Sequence, residues 1–465
     1  MTFDKVIRGK LILEDEMVIG EVGIDNGKIA EICREIGILE SKELLDFGEQ
    51  YVFPGFIDAH VHCFSNPNEG FLSTSRAAAA GGITTYVDMP YDVPDPITNT
   101  ERFNEKAERA EKESLVDVGF WATITKTGGT DQIRALAEAG AIAFKLSTIE
   151  ADPYRFPRIP DAEILKAMNL VKETGLSIAF HAENEEIITS LIKEYIEENK
   201  IYPRAHMETR PPISETSAVL KLLEFAYWTG VKLHIVHVSH PRTIELIEIF
   251  KKQGVHVTSE TCYPYLLLNV NALDEFGPKA KNNPPLRTKE DVNGLWEHLQ
   301  NGRIDLITSD HVAWGAEHKK INENHIFKSS AGLSGLEIMV PLLFDRMVGK
   351  EGISPLAFAK WLSQYPAEVF QIPNKGKIRV GYDADFTVIA PEQAWVIDET
   401  KLRTNAKLTP FHGTEVQGKI TQTLVRGTTV YDGQNIIVEP GYGKLVRGAA
   451  YKGATAHEGI RPSVH

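Results

Sequence analysis

The stretch AIAFKLSTIEADPYRFPRIPDAEILKAMNLVKETGLSIAFHAE, residues 141–183, sets the fold class of this chain. It begins with the apolar run 141–147, continues through a helical pattern that ends at Gly175, and closes with a second apolar run, 177–183. Glycine is common just beyond the end of a helix, and a continuous apolar run is typical of a strand covered on both faces. The stretch therefore predicts one strand–helix–strand unit with parallel strands.

The same alternation continues on both sides of this unit. Helical patterns such as DQIRALAEAG (131–140) and PRTIELIEIFKKQG (241–254) separate further apolar runs. The strand candidates are residues 53–62, 83–90, 116–124, 141–147, 177–183, 232–238, 255–261 and 304–311. Repeated β/α units of this kind predict an α/β fold, a (β/α)8 TIM barrel, over residues 53–374.

The two ends of the chain have a different character. Residues 1–52 and 375–440 consist of short β patterns separated by turn signals such as Asp25-Asn26-Gly27. Neither flank is long enough to enclose a comfortable core of its own, so we expect both to pair into one small β-sandwich domain. Residues 441–465 have no periodicity and are expected to form a tail that is loosely ordered or packed on a neighbour.

Composition narrows the class of partner. The chain has 465 residues and a net charge of −14, from 50 basic and 64 acidic side chains. That balance disfavours nucleic acid and an anionic membrane surface as partners. Three cysteines do not suggest a disulfide framework, and neither a signal-peptide pattern nor a spanning apolar run is found. We therefore expect a cytoplasmic protein that acts on a small molecule.

Lys145 is the most informative residue, because it stands alone in the apolar run AIAFKLS. A lysine in a buried strand is costly unless it is paired, neutral or chemically modified. The simplest structural explanation is a side chain that reaches water or a carboxylate. If the amine is instead desolvated near cations, its pKa falls and the neutral form can react with carbon dioxide. The resulting carbamate would be an anionic ligand able to bridge two metal ions.

Other potential ligands stand at the ends of the predicted strands, where a barrel collects its reactive residues. A lone histidine is more often a hydrogen-bonded core residue, but joint placement at several strand ends favours a two-metal hydrolase. The predicted ligands are His60, His62, Lys145, His181, His237 and Asp310. Such ligands suit zinc, with manganese, cobalt or nickel as alternatives. The two ions would supply a bridging hydroxide, and Asp310 would act as the catalytic base that passes a proton to a leaving nitrogen.

These segments make the chain similar to the amidohydrolase superfamily, in the branch of cyclic amidases that includes allantoinases, hydantoinases (dihydropyrimidinases) and dihydroorotases. The matching segments span nearly the whole chain and include PGFIDAHVH, FKLS, HAEN, TRPPISE, LHIVHVS, NNPPLR, NGRIDLITSDH and KGKIRVGYDADFTVI. The resemblance implies the same six ligands, a carboxylated Lys145, a barrel with a composite β-sandwich and a homotetramer. It also suggests Asn283 and Ser334 as substrate-binding residues.

Two departures narrow the substrate within that branch. Phe64 stands where dihydroorotases usually have an arginine for the substrate carboxylate, and Glu150 stands where dihydropyrimidinases usually have an oxyanion-binding tyrosine. The best match is therefore an allantoinase-like hydrolysis of allantoin to allantoate. Hydantoin or another cyclic amide is the alternative substrate. A one-metal deaminase on the same barrel and a non-catalytic dihydropyrimidinase-like scaffold remain rival hypotheses.

The roles of several further residues and of one loop are predicted less sharply by the sequence. The segment 147–160 is long for a loop that follows a barrel strand, so it is either a lid or pocket wall or a passive surface loop. Trp314 either lines the pocket or packs a loop. His234 is predicted to be structural because its parity is opposite to that of His237, and His206 is predicted to lie solvated in a loop.

Overall fold

The computed structural model describes residues 2–321 and 323–452, and it places the strands in two sheets within that part of the chain. The strands are β1 (Thr2–Ile12), β2 (Met17–Asp25), β3 (Lys28–Cys33), β4 (Glu40–Pro54), β5 (Phe56–His62), β6 (Ile83–Asp88), β7 (Asp117–Ala122), β8 (Ala143–Ser147), β9 (Ser177–His181), β10 (Lys232–Ile235), β11 (Val257–Cys262), β12 (Leu306–Thr308), β13 (His311–Val312), β14 (Phe386–Val396), β15 (Glu415–Val425) and β16 (Thr428–Tyr431).

Helices connect the strands of the larger sheet and, beyond β13, lead from that sheet to β14. They are α1 (Gly70–Ala80), α2 (Thr100–Glu113), α3 (Ile133–Ala139), α4 (Asp161–Thr174), α5 (Glu185–Glu197), α6 (Ala205–Glu208), α7 (Pro212–Thr229), α8 (Pro241–Lys252), α9 (Tyr263–Leu267), α10 (Asn271–Phe276), α11 (Lys289–Gln300), α12 (Ala316–Lys319), α13 (Met339–Phe344), α14 (Pro355–Ala359) and α15 (Tyr365–Val369). Short 3-10 helices cover Gly129–Gln132, Gly277–Ala280, Ile326–Lys328 and Glu399–Lys401, and π-helical turns cover Asp345–Lys350 and Lys360–Gln364.

The larger sheet is the predicted TIM barrel. Its order is β12-β11-β10-β9-β8-β7-β6-β5-β13, and every pair in it is parallel. Strands such as β6 and β7 are buried along their whole length, as expected when helices cover the outer face and side chains fill the interior. The sequence prediction of the α/β fold class is confirmed.

The last barrel strand is broken, which the sequence pattern does not predict. Residues 304–311 are expected to form one strand, whereas β12 pairs with β11 and β13 pairs with β5. Asp310 lies between the two pieces with a backbone φ of +48°, a left-handed conformation that a strand cannot continue through. The break lets one chain segment bond to both neighbours and close the barrel.

The two flanks of the chain form a single seven-stranded sheet of order β16-β15-β14-β4-β1-β2-β3. The two halves join where β14 from the C-terminal flank runs antiparallel to β4 from the N-terminal flank. Register shifts between β1 and β4 and between β14 and β15 mark bulges, which bend strands and allow a sheet to fold over a core. That core is a separate apolar cluster that includes Val22, Phe386 and Leu424, so the composite β-domain is confirmed.

A buried ion cluster ties the β-domain to the barrel. The ammonium of Lys375 lies 2.6 Å from Asp117 at the start of β7, 2.6 Å from Asp385 and 2.9 Å from Asp383. Arg426 also pairs with Asp117. Although burial lowers the pKa of Lys375, the carboxylates of Asp385 and Asp117 outweigh it and raise that pKa. The three carboxylates therefore surround an ammonium that stays charged.

The C-terminal segment packs along the barrel as far as it is described. The amide of Val446 donates to the carbonyl of Val118 in β7 at 2.7 Å, and the amide of Val118 donates to the carbonyl of Lys444 at 3.0 Å. The rest of the predicted tail, residues 453–465, lies outside the described residues. Within the described part of the chain, no helix combines the length and apolar character needed to cross a membrane.

Replacing Lys375 by methionine should destabilise the fold strongly, because it removes the cation shared by the buried carboxylates of Asp117 and Asp385 and the half-buried carboxylate of Asp383. We expect the free energy of unfolding to fall by about 3–5 kcal/mol, measured by urea denaturation at fixed metal concentration. The control is Lys401→Met, which removes an ammonium on a side chain that is 82% exposed, and it should change the same quantity by less than about 0.5 kcal/mol. Equal effects of the two substitutions would contradict a stabilising role for the cluster.

Candidate metal centre

The predicted ligands converge at the carboxyl ends of the barrel strands. His60 and His62 end β5, His181 ends β9, and Lys145 lies in β8. His237 follows β10 by two residues, and Asp310 lies in the break between β12 and β13. All six line one cavity of about 410 Å³, a size typical of small-molecule sites.

Three of these residues form one half of the centre. His60, His62 and Asp310 each offer a ligand atom, and these atoms lie within 4.8 Å of one another. Asp310 Oδ1 is 3.2 Å from Nε2 of His60 and 3.5 Å from Nε2 of His62. One carboxylate oxygen thus faces two imidazole nitrogens, as it would across a shared cation.

His181 and His237 form the other half. Their ring centroids are 4.5 Å apart, and the His237 ring is 5.6 Å from that of His60. Burial, followed by the neighbouring charges of His60 and Lys145, lowers the pKa of His62, and burial with His181 and Lys145 lowers that of His237. Both imidazoles are therefore held neutral, which is the form that binds metals.

Lys145 lines the same cavity as both halves, and its charge acts on His62 of one half and on His237 of the other. It is 1% exposed, and no ion pair within 4.0 Å joins it to another described residue. Burial lowers its pKa to about 8, although Glu260 and Asp310 act in the opposite direction. A neutral amine is consequently accessible near neutral pH, as the reaction with carbon dioxide requires.

The backbone is strained at two of the ligands. His237 has a φ of +40° and Asp310 a φ of +48°, both in the left-handed region that non-glycine residues avoid. Each such residue costs of order 1–3 kcal/mol and persists only where the surrounding structure holds it. The strain turns both side chains into the cavity at points where a regular strand would direct them elsewhere.

Buried carboxylates orient the ligand histidines, and sequence analysis missed the most important of them. Glu260 in β11 is fully buried and accepts hydrogen bonds from Nδ1 of His60 and, at 3.2 Å, from Nε2 of His234. Glu183 accepts from Nε2 of His181 at 2.8 Å. The signal for Glu260 was present, since a glutamate inside the buried run VTSETC raises the same question of burial cost as Lys145.

The donor set fits divalent cations. With Nδ1 of His60 donating to Glu260, the opposite nitrogen, Nε2, points at Asp310 and has no hydrogen-bond partner among the described residues. Nδ1 of His237 is likewise buried without a partner in that part of the chain. Imidazole nitrogens that lack a hydrogen-bond partner and face a carboxylate are what zinc-type ions bind, and carboxylates behind the imidazoles are typical of such centres.

The remaining residues for which the sequence suggests a possible role in the pocket differ in whether they line the cavity. Asn283 and Trp314 line the cavity, as does much of the segment 147–160 through residues 149–152, 155 and 156. Ser334 does not line it, and its hydroxyl donates to the carbonyl of Ala406 at 3.5 Å. Asn283 and the loop therefore remain candidates for substrate contact on position, whereas Ser334 is separated from the cavity wall.

The sequence predictions for two histidines outside the ligand set have opposite outcomes in the structure. His234 is buried and hydrogen-bonds Glu260 and Thr258, so its structural role is as predicted. The prediction that His206 lies solvated is wrong, since it is fully buried and its Nε2 donates to the carbonyl of Asn282 at 2.8 Å. Loops from distant parts of the chain cover it, and their packing is not visible in local sequence.

A TIM barrel with this set of donor atoms around one cavity is typical of the metal-dependent barrel hydrolases, and the comparisons with known proteins agree with that class. A family model described as the amidohydrolase family matches residues 51–430, and the chain belongs to that family. Allantoinases from Enterococcus faecalis and Escherichia coli strain K12 are both 32% identical to it. The first covers 94% of this chain and 98% of its own length, and the second 93% and 96%.

Solved structures agree with this membership. The L-hydantoinase (dihydropyrimidinase) from Arthrobacter aurescens superposes with a TM-score of 0.93 at 31% identity, covering 96% of this chain and 100% of its own. The dihydropyrimidinase from Brevibacillus agri NCHU1002 gives a TM-score of 0.89 at 27% identity, covering 97% and 100%. The protein is thus an enzyme of the cyclic amidohydrolase type.

Proposed function

We propose that the protein hydrolyses allantoin to allantoate in a metal-dependent reaction. The observation that carries the proposal is the convergence of His60, His62, Lys145, His181, His237 and Asp310 on one cavity in a chain of this family. Similarity to allantoinases over nearly the whole chain supports the choice of ring. The reaction would belong to purine catabolism. We place it in the cytoplasm, with which free cysteines are compatible.

We propose that the centre holds two divalent cations, zinc in the first place, with manganese, cobalt or nickel able to use the same ligands. Lys145 would be carboxylated: its neutral nitrogen bonds to the carbon of carbon dioxide and loses a proton. The carbamate would then face both halves of the centre, with His60 and His62 on one side and His181 and His237 on the other. When bound, such ions lower the pKa of water and polarise a carbonyl.

Asp310 is the proposed proton carrier. Hydrolysis adds the oxygen of water to the ring carbonyl carbon, breaks the C–N bond and places a proton on the leaving nitrogen. Asp310 lies at the cavity wall beside the imidazoles of His60 and His62. On this proposal its carboxylate accepts the proton of the attacking water and delivers it to that nitrogen. The strained backbone at this residue holds the carboxylate toward the reacting atoms.

The residue at position 64 supports allantoin over dihydroorotate as the substrate. Phe64 is buried against Phe71 with a ring separation of 4.9 Å, and the Arg109 guanidinium lies over it at 4.4 Å, so it does not line the cavity. An arginine that could fix a substrate carboxylate is therefore missing from that position. Glu150 does line the cavity, but it pairs with Lys126 and offers no phenol for an oxyanion.

A hydantoinase activity is the second candidate. It rests on the TM-score of 0.93 with the hydantoinase from Arthrobacter aurescens, at an identity close to that of the allantoinases. We further propose that Asn283 contacts the ring, because its Oδ1 has no hydrogen-bond partner among the described residues and the side chain lines the cavity. Ser334 does not line the cavity, so a role for it in substrate binding would have to pass through its loop, of which Gly332 lines the cavity.

We propose that the enzyme assembles as a homotetramer, with α7 at one of its contacts. Ile213, Leu220 and Tyr227 are spaced by seven residues along α7 and exposed, and the neighbouring Trp228 is 76% exposed. A solvated helix normally shows polar side chains on this face. If two copies of α7 run antiparallel about Leu220, Ile213 of each meets Tyr227 of the other, so the stripe is complementary to itself.

Lys145→Ala should lose metal, because it removes the group between the two halves of the centre. We expect the wild type to hold about two ions per chain and the variant one or fewer, measured by elemental analysis after dialysis. Wild-type protein refilled with metal in buffer freed of carbon dioxide should behave like the variant until bicarbonate is added. A variant with two ions and full activity would contradict the proposed role, and refilling that ignores bicarbonate would contradict carboxylation.

A panel of rings tests the substrate. The metal-loaded enzyme should open allantoin with a higher kcat/KM than hydantoin, 5-substituted hydantoins, dihydrouracil or dihydroorotate, and a chelator should abolish turnover. Preference for another ring would keep the metal-dependent hydrolysis and replace the substrate. Loss of all turnover with two ions bound would count against each ring in the panel.

Leu220→Glu should weaken self-association, because it places two like charges at the centre of the proposed contact. Sedimentation analysis should show a four-chain wild type and smaller species for the variant. The control is Ile437→Glu, which replaces a similarly exposed apolar residue in another part of the chain. A wild type of another size, or a variant that remains tetrameric, would contradict the proposed assembly.

A further inference from the structure

The wall of the cavity contains a short rigid turn between β8 and α4. The amide of Phe156 donates to the carbonyl of Asp152 at 3.0 Å, and the amide of Asp152 donates back to Phe156 at 3.2 Å. Asp152 Oδ1 accepts from the amides of Tyr154 and Arg155 at 3.0 and 2.8 Å. These bonds fix the positions of Asp152 and Arg155, and both side chains line the cavity.

Arg155 and Asp152 place donors beside an acceptor. Nη1 of Arg155 donates to the carbonyl of Tyr91 at 3.1 Å, which anchors the guanidinium. Its Nε lies 3.6 Å from Oδ2 of Asp152, too far for a hydrogen bond but close enough for the charges to attract. A guanidinium has five N–H donors, so most of them remain for a ligand or water. Hydrogen bonds from the amides of Arg155 and Tyr154 lower the pKa of Asp152 despite partial burial, so it stays ionised.

An aromatic pair connects this charged pair to the metal centre. The rings of Tyr91 and Phe156 are stacked with centroids 3.9 Å apart. Tyr91 lies 6.4 Å from the His62 ring, and Phe156 meets the His181 ring edge-on at 5.7 Å. Tyr91 and Phe156 therefore line the cavity together with the candidate ligand histidines, Arg155 and Asp152, so a substrate ring facing those histidines shares the cavity with the charged pair.

We propose that Arg155 and Asp152 form a specificity subsite for a neutral ureido or carbamoyl substituent on the substrate ring. The inference rests on the proposed function and adds the residues that select the substituent. A ureido group has a carbonyl that accepts from Arg155 and N–H groups that donate to Asp152.

Other substituents fit this pair less well. A carboxylate would gain Arg155 but meet the negative charge of Asp152, which lines the same cavity. An apolar substituent would exclude water from both charged groups without replacing its hydrogen bonds, and sites built for hydrogen bonding reject such analogues. The pair therefore favours a substituent that carries both an acceptor and donors.

The test compares variants on rings that differ only in the substituent. The rings are allantoin, unsubstituted hydantoin, a 5-alkyl hydantoin and a 5-carboxyalkyl hydantoin. Arg155→Met should lower kcat/KM for allantoin by about tenfold to a hundredfold. The same variant should change kcat/KM for unsubstituted hydantoin by less than about threefold, and Asp152→Asn should show the same selectivity with a smaller loss.

Arg158→Met is the matched control, because Arg158 belongs to the same segment but pairs with Glu185 at 3.3 Å and does not line the cavity. It should leave the ratio between rings unchanged. A loss by Arg155→Met that is equal on all rings would assign Arg155 a merely structural role and overturn the proposal. A higher wild-type kcat/KM for the carboxyalkyl ring than for allantoin would overturn the proposal that the subsite selects a neutral substituent.

Calorimetric binding of allantoin and hydantoin separates this inference from the proposed function. If the wild type opens no ring but binds allantoin, and Arg155→Met weakens that binding relative to hydantoin, the hydrolysis proposal fails and the subsite stands. If the wild type opens rings but Arg155→Met does not alter the preference, the subsite fails and the hydrolysis proposal stands. Absence of both turnover and allantoin binding would overturn both.

Discussion

Closure of the barrel through a broken strand is the constraint on which the site depends. β12 must bond to β11 and β13 must bond to β5, and the chain changes direction between them at Asp310. The same change of direction brings the Asp310 carboxylate to His60 and His62. Fold and site therefore share one strained residue, whose cost of order 1–3 kcal/mol is offset by the bonds that close the sheet.

Burial alone does not distinguish a chemically active lysine from a structural one. Lys375 and Lys106 are also buried, but each faces carboxylates, and these raise the pKa of both side chains overall. Lys281 is buried with a lowered pKa, yet it donates to the carbonyl of Ile326 at 2.8 Å. Lys145 differs because it lines the same cavity as the candidate ligand histidines, so an anionic group added to its nitrogen would face them.

Sequence predicted the parts of the structure that follow from local pattern. Apolar runs located the barrel strands, and the cost of burying charge singled out Lys145 among 50 basic residues. The same argument applied to Glu260 would have found the group that orients His60. The burial of His206 and the break at Asp310 were not predictable, because the first depends on loops far apart in sequence and the second on a backbone angle set by sheet closure.

Rigid strand ends hold the ligands, whereas a turn held by its own hydrogen bonds forms much of the wall that meets the substituent. The bonds between Asp152 and Phe156 lie within that turn and do not involve a ligand. Phe156 of this turn contacts the His181 ring, but the side chains of Asp152 and Arg155 can change without disturbing the centre, because neither barrel closure nor the carboxylates behind the histidines depend on them. This separation explains in physical terms how relatives named for allantoin and for hydantoin share one barrel while differing in the wall that faces the substituent.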